Sequence, residues 1–428
     1  MQSAEPPETS PVESDVGFKR LLAEPNLRRL WVTQLCSSGG ESLAQIAMPL
    51  LVYHLTGSAR MVGLMALVLI LPRVILAPIT GMLADHLDRR RVMIAADLAR
   101  LVLVSAVPLV TSMWSLAILA VLIAAGNAAG RPAELAAVPA VAGPQRLVAA
   151  LSLMQVSNGI IRIAIPAAGA GVIAAVGPAP VFWLQALCFA GSLLALRRLV
   201  IPSHVRDRER QRLGDGLWVE VRQEMWSGIR AIRTIPIVRG VTASEALFQV
   251  AMATMTVAGV VYTQETLDLG GRAEAAFALM TTSMAAGAVT GAFAAHRIEP
   301  RIGRPYMMAL GYLGPFFLMT AVFSPPMVVI YGAWYCFGFL DGLAVISFQA
   351  YLAEAVPEHL RGRVYAAWGA IVTLASALAY YLIGFVTPLL GAPQMFAVAG
   401  LTVGLGAPLL LLATGAIRSE QLAPNTWQ

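Results

Sequence analysis

Three carboxylates stand in stretches of the chain otherwise too apolar to hold them: Glu41, Glu245 and Asp341. A charge near the centre of a bilayer costs roughly 3 kcal/mol or more unless it is paired or hydrated, so each is a functional candidate. The chemistry open to them is reversible protonation, because drying a site favours the neutral acid while water or a nearby cation favours the carboxylate. Arg73, Arg100 and Arg162 also fall inside apolar segments, and Arg162 is the first candidate counter-charge for Glu41 or Asp341. Asp97 with Arg100, and Arg131 with Glu134, are three residues apart. On a helix that spacing makes a local ion pair, and both pairs read as gate or anchoring groups near helix ends.

Other chemistries find no support. His54, His86, His204, His296 and His359 lie singly, and Cys36, Cys188 and Cys336 have neither metal-ligand nor pairing spacing, so no metal, disulfide framework or cofactor is expected. An embedded enzyme would need a nucleophile, base or metal cluster at a membrane face, and none stands out.

The elements that must position these groups follow from composition. The 428 residues are 58% hydrophobic and 13% charged, with a mean hydropathy of +0.71, against about 25% charge in a soluble domain. A water-soluble globule is excluded, and the lipid bilayer becomes the chain's main surroundings. Turn signals place twelve spans near 29–56, 60–84, 92–112, 113–137, 147–176, 179–199, 236–264, 272–297, 304–323, 327–355, 362–388 and 393–416.

The excess of basic residues is explained by orientation and not by nucleic acid. With both termini cytoplasmic, 25 of the 30 basic residues face the cytoplasm and only Arg60 and Arg272 face outward, which is the distribution that orients helices. Residues 1–17 read as a disordered cytoplasmic tail and 417–428 as a second tail, with 18–199 and 236–416 as two six-helix halves. Between them 200–235 is an Arg-rich cytoplasmic linker whose amphipathic stretch, Leu217 to Ile232, suits a membrane surface. The octapeptide ending at Pro139, Pro-Ala-Glu-Leu-Ala-Ala-Val-Pro, is echoed by Ala-Tyr-Leu-Ala-Glu-Ala-Val-Pro ending at Pro357. Such an echo fits two related halves around a midplane site.

The connection between the second and third spans, Gly81-Met82-Leu83-Ala84-Asp85-His86-Leu87-Asp88-Arg89-Arg90-Arg91, resembles the signature loop of the major facilitator superfamily. The resemblance implies a gating role for Gly81, Asp85, Arg89 and Arg90, joined by Asp97 and Arg100. His86 and Asp88 replace the usual basic residue and glycine. The matching place in the second half, Gly291 to Arg297, has Ala295 where the acid would stand, so the gate is expected to be asymmetric. Leu55-Thr56-Gly57-Ser58-Ala59, Leu71-Pro72, Ala96-Asp97-Leu98-Ala99-Arg100, Val356-Pro357 and Arg361-Gly362-Arg363-Val364 look like the branch of macrolide-efflux proteins and the enterobactin exporter. Arg162 to Gly171, with Pro166 and Gly169, is similar to the helix-five element of drug:proton antiporters, and implies a kink packed against the eighth span. The arginine such exporters carry in helix four is replaced by Leu122, four residues before Gly126, which leaves Arg162 or Arg73 to supply the cation.

The resemblance implies an all-α fold whose first, fourth, seventh and tenth helices line a cavity. It also implies a monomer that exports an amphipathic small molecule by alternating access, with the proton gradient as its energy source. Glu41 or Asp341 then carries the proton in competition with cargo, and Tyr331, Trp334, Tyr335, Phe337, Phe339, Met252 and Met255 are candidate cargo contacts. Transport of a lipid or siderophore would share every motif, while a non-transporting sensor would differ by giving no ligand-dependent flux.

Overall fold

A computed structural model describes residues 18–86, 88–201, 217–267 and 269–416. They are helical almost throughout, as they must be where no water is available to backbone N–H and C=O groups. A short α1 (Phe18–Ala23) precedes α2 (Pro25–Thr56), α3 (Ala59–His86), α4 (Arg89–Ala106), α5 (Met113–Ala142), α6 (Leu147–Val176) and α7 (Val181–Leu196). After α8 (Leu217–Thr234) come α9 (Pro236–Val261), α10 (Ala273–Ile302), α11 (Arg304–Gly311) with a 3₁₀ continuation at Gly314–Phe323, α12 (Met327–Ala355), α13 (Arg361–Leu390) and α14 (Ala392–Ala413). Residues 1–17, 202–216 and 417–428, which include both expected tails and much of the linker, lie outside the described residues.

Local sequence sets the breaks. Gly57 adopts φ 58°, ψ 22° and closes α2 with its N–H on the Tyr53 carbonyl, a left-handed cap that glycine takes at least cost. Gly391 at φ 86° ends α13, and Pro393 opens the first turn of α14. Asp88 caps α4 by accepting the Arg91 N–H at 3.2 Å, which gives a structural reason for an acid before the arginine run.

Among the described residues nine helical stretches are long and apolar enough to cross a membrane. They coincide with nine of the expected spans, and the remaining three expectations fall on α2, α3 and α7, which are helical too. Outward faces are apolar, with Trp114, Val148, Phe323 and Leu389 largely exposed; in a soluble protein such a surface would drive aggregation. The protein is a multi-pass membrane protein.

In the first group of helices α2 lies against α6 and α7, α4 against α5 and α7, and α3 against α5. In the second, α9 lies against α13 and α14, and α10 against α12. The last pair meets backbone to backbone: a Cβ on Gly287, Gly291, Gly338 or Gly342 would stand 2.0 Å from the carbonyl oxygen of Tyr335, Phe339, Met284 or Ala288. Both helices thus carry a Gly-x-x-x-Gly ridge at one seam, the arrangement that replaces hydrophobic driving force inside lipid. Across the groups, α3 packs on α13 and α6 on α10.

The amphipathic stretch is helical as α8 but does not lie free on a surface over its whole length. Its end docks on α13, with Ala231 and Ile232 buried and a Cβ on Gly228 falling only 2.3 Å from the Arg363 carbonyl oxygen.

Candidate functional site

The three carboxylates singled out in apolar stretches fall in two places. The first is built around Arg100, eleven residues into α4 from Arg89 and so roughly 16 Å along the helix. Its guanidinium pairs with Asp97 and donates to Asn127 Oδ1 of α5 at 2.8 Å. It also lies 3.8 Å from Glu41 Oε1 of α2 and 4.6 Å above the ring of Phe189 in α7. Ser192 of α7 donates to the other Asp97 oxygen. Asp97 and Arg100 are almost fully buried, whereas the Glu41 side chain is about one-third exposed. Burying opposite charges is tolerable only when the remaining donors and acceptors are satisfied, and here four helices supply the partners. Space for the guanidinium comes from α5, where a Cβ on Gly126 or Gly130 would meet Arg100 Cγ at 3.0 Å or Nη2 at 3.2 Å.

This placement revises one expectation. The Asp97–Arg100 pair, expected near a helix end, is deep within the first group and couples to Glu41. Leu122, at the position where an arginine was sought, is 46% exposed, and the cation that packs on Gly126 is Arg100 of α4. Asn127, Ser192 and Phe189 were missed, although Asn127 beside Gly126 in an apolar span was a visible signal.

The second place is a cavity of about 130 Å³ between α9, α11, α12 and α13. Glu245, Phe248, Tyr312, Asp341, Phe348 and Trp368 are among its lining residues. Glu245 accepts the Tyr312 hydroxyl at 3.2 Å and the Gln249 amide at 3.1 Å, both neutral donors. Phe248 meets Tyr312 edge-on with centroids 5.7 Å apart, and Phe348 lies 5.0 Å from Trp368. The Trp368 indole nitrogen is buried without a hydrogen-bond partner among the described residues. Glu245 and Asp341 therefore share one cavity, while Glu41 belongs to the other cluster.

The aromatic and thioether candidates are elsewhere. Trp334, Phe337 and Met255 are core residues, Met252 and Tyr331 pack against that core, and Tyr335 meets Thr290 at 2.8 Å; Phe339 packs beside the Ala295–Met307–Leu343 cluster. None of them lines the cavity. Gly169 faces Leu43 of α2, where a Cβ would meet its methyl carbon at 3.2 Å, although α6 as a whole also packs on α10 as expected for the Pro166 helix. The side chains of Arg73, Asp85 and Arg162, and the surroundings of Gly81, lie outside the described residues.

Arg89 donates to the Ala136 carbonyl at 3.1 Å, and Arg90 to those of Leu196 and Arg197 at 3.0 and 2.6 Å. Both thus tie α4 to neighbouring helices of its own group, Arg90 at the carbonyl-rich end of α7 where a cation is favoured. Arg131 and Glu134 form the expected pair at 3.6 Å. At the Thr56 end of α2 the two groups are joined: Tyr53 donates to Glu265, His54 lies 3.7 Å from Glu274, and Arg60 sits 5.5 Å above Phe385. There a Cβ on Gly63 would be 2.4 Å from the Tyr380 carbonyl oxygen.

Residues 30–380 match the family model described as Major Facilitator Superfamily. The chain belongs to the major facilitator superfamily. This facilitator is 26% identical to the multidrug efflux pump Tap of Mycobacterium tuberculosis (strain ATCC 25618 / H37Rv), over 91% of this chain and 94% of that protein. It is 24% identical to the uncharacterized MFS-type transporter YfiS of Bacillus subtilis (strain 168), covering 88% and 90%. The solved nucleoside transporter NupG shares its fold with a TM-score of 0.69 at 12% identity, over 92% of this chain and 98% of that one. Family membership makes the protein a transporter.

Proposed function

We propose that the protein is a proton-coupled exporter of an amphipathic small molecule across the cytoplasmic membrane. It works by alternating access of two six-helix halves, 18–199 and 236–416, with twelve crossings and both termini cytoplasmic. The observation that carries the coupling is the partly exposed Glu41 facing the buried Arg100–Asp97 pair at 3.8 Å. An ionised Glu41 balances part of the guanidinium charge. Protonation removes that balance and leaves Asp97 as the partner, so one proton changes the charge of the cluster without unfolding it. Protons entering from outside and cargo from inside then alternate at one charge balance, which is antiport. The likeness along nearly the full chain to proteins named multidrug efflux pump supports export of drug-like molecules.

The test uses protein in vesicles with an imposed pH gradient, following lumenal pH and the accumulation of a macrolide, a fluoroquinolone, a cationic dye and a catechol siderophore. Wild-type protein is expected to accumulate at least one compound with proton movement, and Glu41→Gln to lose the gradient-driven part while keeping downhill exchange. Full gradient-driven transport by Glu41→Gln, in protein that purifies as a single folded species, overturns the coupling assignment.

A further inference from the structure

We propose that the cavity between α9, α11, α12 and α13 is an amine-binding subsite, resting on the transport reading above. It takes the ammonium group and one ring of a cargo. The ammonium lies between Glu245 and Asp341, and the ring lies among Phe248, Phe348 and Trp368.

Size is the first argument. The cavity measures about 130 Å³, close to the roughly 150 Å³ of an apolar cavity that holds benzene. It has room for the ring and amine of a larger molecule and not for a macrolide. Charge is the second. A carboxylate offers about four acceptor positions, and Tyr312 and Gln249 occupy one on each oxygen of Glu245. The capacity left over matches an ammonium, which has three donors and no acceptor. Asp341 brings a second acid to the same space from a different helix.

The walls are the third argument. Phe248, Phe348 and Trp368 give a cation and a ring apolar, π-rich surfaces. The Trp368 N–H, buried and without a partner among the described residues, is a donor for a hydroxyl or carbonyl on the same cargo, since an unsatisfied buried donor costs free energy that such a ligand restores. The walls are also firmly held. Asp341 lies between Gly338 and Gly342 on the seam with α10, and Gly311 of α11 approaches Ala344 so closely that a Cβ would fall 2.2 Å from its side chain. A site on helices locked backbone to backbone keeps its geometry better than one on loops.

An ammonium also occurs on the ethanolamine headgroup of lipids, so the ring distinguishes the sources. The experiment measures equilibrium binding to the full-length protein in detergent by calorimetry, without a gradient. The probes are 2-phenylethylamine, its neutral analogue 2-phenylethanol, and ethanolamine. Binding of 2-phenylethylamine is expected to be saturable and at least about tenfold tighter than that of either other probe, as loss of a charge-assisted hydrogen bond implies. Glu245→Gln is expected to remove this advantage over 2-phenylethanol, and Asp341→Asn serves as the second variant if Glu245→Gln does not fold.

Equal binding of amine and alcohol, absence of amine binding, or an undiminished preference in the folded variant overturns the subsite. Ethanolamine binding as tightly as 2-phenylethylamine assigns the site to a lipid headgroup and overturns the cargo proposal. Because no gradient is applied, failure here is separate from failure of proton coupling, which only the flux assay reads.

Discussion

The Arg100 cluster and the Glu245 cavity each bring acids together, yet they solve the problem of burying them in opposite ways. In the first group, Asp97 and Glu41 converge on a guanidinium, and the space is filled by Arg100 itself. In the second, Glu245 is held by a phenol and an amide, and a volume of about 130 Å³ is left beside it. In the proposed reading the filled charge cluster answers a proton, and the unfilled one takes a molecule. Glycine marks the same contrast. Gly126 and Gly130 make room for a side chain, while Gly287, Gly291, Gly338 and Gly342 bring two backbones together.

The largest expected effect breaks the first cluster. Arg100→Leu leaves Asp97, 1% exposed, without its cation, and losing one partner of a buried pair costs about 3–5 kcal/mol. Thermal unfolding in detergent should show a large fall in Tm. Adding Asp97→Leu should recover much of it, because removing both charges removes the burial problem as well; gradient-driven flux should remain absent. If the single variant melts like the wild type, the cluster is hydrated and the contrast with the cavity disappears.

The seam between α10 and α12 comes next. Gly338→Ala places a Cβ 2.0 Å from the Met284 carbonyl oxygen, a backbone clash that must part the helices and costs about 1–3 kcal/mol. Gly332→Ala on the same helix meets nothing within 4 Å among the described residues and should be neutral or slightly stabilising. Measured together by unfolding and by amine binding, the first should lose both stability and affinity, the second neither. Equal behaviour of the two would mean that the seam does not shape the cavity.

How much of this was legible depended on which signal each residue carries. The spans follow from hydropathy and charge, and their breaks from Gly57 and Gly391, because lipid leaves the backbone few choices. Asp97 and Arg100 were readable as a pair from helical spacing. Their depth and their link to Glu41 were not, since these depend on how α2, α4 and α5 pack. The cavity walls were harder. Tyr312 and Trp368 sit in charge-free stretches, and the aromatic run of α12 from Tyr331 to Phe339 drew attention first. Within a membrane protein, faces toward lipid, toward core and toward a cavity are all apolar, so an aromatic stripe does not say which of them it serves. Trp334 and Phe337 proved to be core, and the cavity took its aromatics from α9, α12, α13 and the residue that caps α11, Tyr312.

The smallest expected effect tests whether the two regions act together. Tyr53 and Glu265 join the groups at the Thr56 end, beside His54 and Glu274, and in the proposed alternating access that hydrogen bond breaks when the end opens. Tyr53→Phe keeps the ring in place and removes the donor, a net loss of about 1 kcal/mol and so a roughly fivefold shift toward separation. Spin labels on Ser58→Cys and Gly271→Cys, in a chain lacking its three native cysteines, should report a larger population at long distance when Tyr53→Phe is added. If the two clusters are coupled through this interface, the same variant should change amine affinity in the second group by a comparable factor with no change at the cavity itself. An unaltered distance distribution would remove Tyr53 from the closure, and a shifted distribution with unaltered amine binding would make the cavity independent of the state of the gate.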